Sequence, residues 1–227
     1  MPTSFLLLTA TTVPTSFTVK SDNVWTIVVL MLVLTLLPAI LLAMTPFVRL
    51  LVVFHFLRQA LGTQSTPSNQ TLIGLALFLT FFIMQPTLLV VQRVAVEPLE
   101  AGKIDAWKAL DIASTPMRDF MLHYAREKDL ALFVEMAKTP RPKSPQDLSI
   151  RVVAPAYLLS ELKAGFQIGT VLFLPFLVID MVVASITTSM GMMQLPPVVI
   201  STPLKILLFV LVDGWNLVIG SLLKSFQ

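Results

Sequence analysis

The chain has 227 residues, 56% hydrophobic and only 13% charged, with a mean hydropathy of +0.83 and a net charge of +3. A soluble domain is about a quarter charged, so these ions cannot cover a water-facing surface; the apolar excess needs lipid or other chains, and intrinsic disorder is excluded. With no cysteine, disulfides, thiolate metal sites and cysteine nucleophiles are excluded, and the charge is too small to point to nucleic acid.

Met1–Lys20 has no basic residue ahead of its apolar core, and that core, Phe5–Leu8, is too short for a secretory signal. Residues 1–23 are expected to form a loosely packed lead-in. Val24–Met44 is uncharged and, at about 20 residues per span, long enough for a transmembrane helix, with Pro38 a candidate kink. Arg49 and Arg58 then lie unopposed, which favours the cytoplasmic side for that loop and the outside for the charged segment that follows. Gln59–Gln92 is uncharged, polar from Thr63 to Gln70 and apolar from Leu72 to Val91. Residues 24–96 make up a first hydrophobic helical region.

Residues 97–151 are different. Glu97–Arg151 holds nine of the 16 basic and nine of the 13 acidic residues, as expected of a soluble insert. Its pattern is helical: Thr115 and Pro116 suggest an N-cap followed by proline at the first helical position. Met117, Phe120, Met121 and Tyr124 recur on one helix face, and Leu130, Phe133, Val134 and Ala137 form a second stripe. Thr139–Pro145, with three prolines, predicts a stiff linker.

Residues 152–227 are apolar again. Ala164–Ile179, Met181–Leu204 and Ile206–Val212 are interrupted only by Asp180, Lys205 and Asp213. Hydropathy suggests four nominal spans in all. Pro38, Pro86, Pro155, Pro175, Pro196, Pro197 and Pro203 punctuate them, however, and broken helices with charges at depth are tolerated mainly where protein surrounds them. A bundle that buries its apolar faces against sister chains fits as well as a four-span monomer.

A lone charge at bilayer depth costs roughly 2.5–3.5 kcal/mol, so the late charges need partners. Lys205 and Asp213 are eight residues apart, about 12 Å along a helix, too far to satisfy each other. A hairpin turn over Ser189–Pro197 would bring Asp180 and Lys205 to similar depth, whereas Glu161 would reach Lys205 only across a chain boundary or a bend. The ordinary alternative places some of these charges at an aqueous rim. In the turn itself, Met190, Met192 and Met193 crowd beside Gln194. Methionine is unbranched and deformable, so such loops could seal around variable cargo, although gap-filling in a core is its commoner role.

Gly165 and Gly169 form a GxxxG pattern that permits close helix approach. His55 and His123 lack ligand spacing and read as one packed and one solvated histidine rather than a metal site. No nucleotide loop, nucleophile elbow or zincin motif is present, and no cofactor is implied. Asp180 and Asp213 could form a protease-type aspartyl dyad, but Leu211–Gly214 lacks the GxGD context. They could also carry protons in a conducting or transporting membrane subunit.

Longer motifs point to a family. Pro155–Gly169 (PAYLLSELKAGFQIG) and Pro175–Asp180 (PFLVID) resemble signatures of the FliP family, whose injectisome relatives are the SctR proteins. Arg58–Gly62 (RQALG), Leu75–Met84 (LALFLTFFIM) and Phe209–Trp215 (FVLVDGW) are similar to it as well; the likeness extends from about Leu36 to Phe226, and the wording of Leu75–Met84 favours the flagellar branch. The resemblance implies an all-α, membrane-associated protein of broken helical hairpins with a small extracytoplasmic helical insert, assembling into a ring or spiral. It implies a non-enzymatic subunit of the flagellar type III export gate, in the inner membrane at the basal body. Such subunits form a pentamer with FliQ and FliR, alongside FlhB and FlhA, around a channel for unfolded flagellar substrates. It aligns a methionine gasket with Met192 and Met193, with Met190 just before it and Gln194 in place of a further methionine. It also implies an intersubunit pair between Glu161 and Lys205, ranked ahead of Asp180.

Overall fold

The computed structural model describes residues 24–63, 65–137, 144–192 and 195–226, and every regular element among them is helical. Residues 1–23, and with them the expected lead-in, lie outside the described residues, as do Thr139–Lys143 of the expected linker. The helices are α1 (Val24–Ala43), α2 (Phe47–Ala60), α3 (Asn69–Val91), α4 (Glu97–Glu100), α5 (Ala106–Tyr124), α6 (Glu127–Met136), α7 (Ile150–Ser189), α8 (Pro197–Leu211) and α9 (Gly214–Lys224). Residues 24–39 belong to one compact unit and residues 40–226 to a second. In the first, the side chains from Ile27 to Leu37 are exposed and almost all apolar, so this stretch has no core of its own.

Prolines interrupt the helices less than their number suggests. Pro38, Pro86, Pro116, Pro155, Pro175 and Pro203 all lie inside helices. Each removes one backbone donor, but apolar neighbours on both sides leave the rest of the ladder the only good hydrogen-bonding solution. As a result α7 continues unbroken for 40 residues. At the end of α3 the backbone widens into a π-helical turn, Gln92–Val96, where apolar sequence gives way to charged.

Among the described residues, two stretches, Asn69–Glu100 and Ile150–Ser189, are long and apolar enough to cross a membrane. The count rises to four only if two interrupted pairs, α1 with α2 and α8 with α9, each make one span. The second of these pairs bends by 65°. At that bend Asp213 adopts φ 51°, and a Cβ on Gly214 would lie 2.3 Å from the Phe209 ring, so the corner accepts no larger residue.

The charged segment starts its main helix earlier than Thr115–Pro116 suggests. Asp105 is the N-cap, its carboxylate accepting from the Lys108 amide at 3.3 Å, and Pro116 is interior. An Asp cap ten residues upstream competes successfully because helix formation favours the longer run once its first turn is capped. Phe120 and Met121 are buried with Met84 of α3 and Val152, Val153 and Tyr157 of α7, and Leu130, Phe133 and Val134 of α6 pack against that cluster. The charged segment and the first half of α7 therefore share one core. A second cluster joins Leu50, Val53 and Phe54 of α2 to Leu72, Ala76 and Leu222, and a third joins Leu57, Ala60 and Leu61 to Phe176 and Phe209.

Candidate functional site

The outer half of α7 and α8 form the hairpin that carries the Met-rich turn. Helix α7 ends because Gly191 takes φ 73°, a left-handed conformation that costs other residues more. The Gly191 amide then bonds to the Thr188 carbonyl at 3.0 Å and the Met192 amide to that of Thr187 at 3.1 Å, closing the last turn. Pro196 and Pro197 open α8, where a missing amide hydrogen costs nothing. Met190 is exposed and Met192 half-buried, while Met193 and Gln194 lie outside the described residues.

Below this tip a polar brace crosses the hairpin. Lys205 Nζ donates to Asp180 Oδ2 at 2.5 Å, and Ser201 Oγ donates to Asp180 Oδ1 at 2.6 Å. Lys205 is 2% exposed and Ser201 fully buried, so both are satisfied inside an otherwise apolar contact. Within the single chain Lys205 thus pairs with Asp180, as a hairpin turn over Ser189–Pro197 leads one to expect, while a pair between Glu161 and Lys205 would belong to the contact between subunits. The reason is depth: Asp180 and Lys205 stand at comparable distances from the turn, and Glu161 lies 19 residues farther down α7.

Glu161 is fully buried and pairs with Arg49 of α2. Arg49 also donates to Ser225 Oγ at 3.1 Å, and its guanidinium lies 3.9 Å from the centroid of the Phe226 ring. Tyr124 Oη donates to the Phe226 carbonyl at 2.8 Å, and burial pushes that phenol above its ordinary range. Arg49 was expected to be an unopposed topology marker. It is instead buried and neutralised, so it says nothing about which side its loop occupies; a guanidinium within an apolar helix survives only by finding a carboxylate.

Gly165 and Gly169 of α7 face α2. A Cβ on Gly165 would meet Val52 at 3.1 Å, and one on Gly169 would meet the Phe56 ring at 2.6 Å. The close approach they permit is therefore made inside the chain. Asp213 is exposed and accepts from Asn216 Nδ2 at 3.2 Å, while Asp180 is held by Lys205 and Ser201. The two aspartates are held by different partners and no hydrogen bond joins them among the described residues, whereas a protease dyad needs two carboxylates sharing a proton. A carboxylate held by an ammonium and a hydroxyl is also a poor proton carrier. Both histidines are exposed, correcting the expectation that one would be packed, and no metal-holding cluster occurs among the described residues.

Sequence reasoning did not find the polar clamp between α6 and α7. Asp129, nearly fully buried, accepts from Ser160 Oγ at 2.8 Å and pairs with Lys163, and the Arg126 amide donates to Ser160 Oγ at 3.0 Å. Burial alone would raise the Asp129 carboxyl, but hydrogen bonds from Lys163 and Ser160, with the charges of Lys163 and Arg126, outweigh it and hold it below its ordinary range. The available signal was a Ser and a Lys in the most apolar-flanked stretch of the Pro155–Gly169 motif.

The family model described as "FliP family" matches residues 30–222. The chain is 53% identical over 208 residues to the flagellar biosynthetic protein FliP of Bacillus subtilis, covering 90% of this chain and 94% of that one. It is 50% identical to the protein of the same name from Pectobacterium carotovorum, over 89% of this chain and 80% of the relative. Against that of Aquifex aeolicus it is 44% identical, over 88% and 85%. With a family model matching well over half its length and near-full-length relatives at this identity, the chain belongs to the FliP family.

Proposed function

We propose that this chain is a wall-forming subunit of the flagellar type III protein export gate. Copies, a pentamer on the family resemblance, would enclose with FliQ and FliR a channel for unfolded flagellar substrates, next to FlhB and FlhA in the inner membrane of the basal body. The name shared by the relatives, flagellar biosynthetic protein, supports the setting. The observation that carries the channel reading is the hairpin: a stiff, cross-braced pair of helices presenting methionine at its tip.

The arrangement suits a seal because it separates rigidity from compliance. The Asp180–Lys205–Ser201 brace fixes the helices, and the turn from Met190 to Gln194 supplies side chains that deform at little cost. A ring of such tips would narrow the conduit and part around an extended substrate. Intersubunit pairing of Glu161 with Lys205 would require both to release their partners in the chain, Arg49 and Asp180, so assembly would proceed by exchange of ion pairs. Energy for transport must come from partners, since the sequence carries no nucleotide loop.

The test is ionic conductance of the reconstituted assembly. Replacing Met190 and Met192 together by Asp should raise leak conductance several-fold, because charged tips hydrate the constriction. Conductance equal to that of the parent, in assemblies of normal yield, would contradict a sealing role.

A further inference from the structure

The structure carries a second feature away from the hairpin. A groove of about 840 Å³ lies between the end of α1, the outer face of α3 and the first half of α5. That volume is within the roughly 300–1,000 Å³ range of small-molecule sites. Its α3 wall, with Leu77, Phe81 and Leu88, belongs to a stretch able to span a membrane, and Phe81 is largely exposed. Its α5 wall includes Trp107 and Asp111, one helical turn apart. Trp107 is 80% exposed, an unusual position for indole unless it meets an interface. Asp111 is the one charged residue lining the groove, and its carboxylate forms no ion pair or hydrogen bond among the described residues.

We propose that this groove binds a membrane phospholipid with an ethanolamine headgroup. One acyl chain lies along the apolar α3 wall, and the ammonium sits between the Asp111 carboxylate and the Trp107 ring. The charge decides the headgroup. An anionic lipid would bring its net negative charge up to Asp111, whereas an ammonium is attracted by both the carboxylate and the indole face. The same charge disfavours the apolar face of a second copy, because packing against it would strand Asp111 unpaired at a dry seam. The proposal concerns a different surface from the export channel and stands apart from that reading.

The assembly containing the full chain is placed in bilayers of equal phosphatidylethanolamine and phosphatidylglycerol, then transferred to mild detergent. Retained lipid is counted by native mass spectrometry. Phosphatidylethanolamine should be retained in preference. The double variant Trp107→Leu, Asp111→Asn should retain about tenfold less, equivalent to about 1.4 kcal/mol, and Glu135→Gln on α6 should change nothing. Both groove substitutions are at exposed side chains, so assembly yield should remain normal. Equal retention of the two lipids would overturn the proposal, as would retention unaffected by the double variant. So would disulfide cross-linking of Phe81→Cys between two copies with no lipid retained, which would show a sister chain in the groove.

Discussion

Lys205 is an ammonium buried among apolar side chains, and its stability depends on one carboxylate and that carboxylate's second partner, Ser201. Replacing it with Ala leaves Asp180 facing an apolar contact. Asp180 is partly exposed, its side chain at 31%, so water can recover some of the loss. A cost of about 1–3 kcal/mol is expected rather than the larger penalty of a fully buried orphan charge. Double-mutant cycles in detergent-extracted single chains, read by thermal unfolding, should find Lys205 coupled to Asp180 and uncoupled from Glu161. Coupling to Glu161 that emerges only in the assembled complex would mark an exchange of partners. Coupling to Glu161 in the isolated chain would contradict the brace. Of this site, the relation between Asp180 and Lys205 was legible, because a turn at a known position sets the depth of both arms. The partner of Glu161 was not: Arg49 is 112 residues away, and no periodicity links them. The usable hint was Arg49 itself, a cation with no opposing charge near it in sequence.

At the level of elements, α6 is the most easily detached helix. It has only 10 residues and touches the rest of the chain mainly through α7, by a thin apolar stripe and the Asp129 clamp. Because the folded state holds the Asp129 carboxyl below its unfolded value of about 3.9, protonation favours release. The clamp's contribution is complete above that unfolded value and disappears as pH falls through the lower, folded one. Amide exchange over Glu127–Met136 should therefore be slow and flat from neutral pH down to about 4 once corrected for intrinsic rates, then accelerate. In Asp129→Asn the acceleration should vanish, with exchange faster than in the parent above about pH 4 and similar to it once the parent's carboxyl is protonated. A variant that kept the acid-dependent step would assign it to another group. The helical type of this segment and its buried stripe were readable from spacing. The start of α5 was not, since Asp105 and Thr115 are both acceptable caps, and what selects the first is the longer helical run it opens. Prolines misled for a related reason. Inside apolar surroundings an interrupted helix still satisfies more backbone than any loop can, so α7 passes through Pro155 and Pro175.

Across residues 40–226, Arg49 ties together elements distant in sequence. Its guanidinium, from α2, reaches Glu161 of α7 and Ser225 past the end of α9, and Phe226 stacks on it while Tyr124 of α5 holds the Phe226 carbonyl. Apolar packing alone would leave these elements free to slide, because hydrophobic contact is nondirectional. A guanidinium with fixed donor geometry sets their register. Removing only one partner is the costly change. Arg49→Met should destabilise the chain by about 3–5 kcal/mol, since Glu161 would remain buried with a charge and no counterion. Glu161→Gln should cost less, because Arg49 keeps Ser225 and the Phe226 ring and is nearer solvent. The pair Arg49→Met with Glu161→Met should recover much of the loss in thermal stability, as apolar replacement of a buried ion pair usually does. Proteolysis after Lys224 should report the same event locally, with the last residues cleaved readily in Arg49→Met and slowly in the parent. If Arg49→Met proved as stable as the parent while its C-terminal residues stayed protected, the ion pair would not be what holds that end in place, and the Leu222 contact in the second core would suffice.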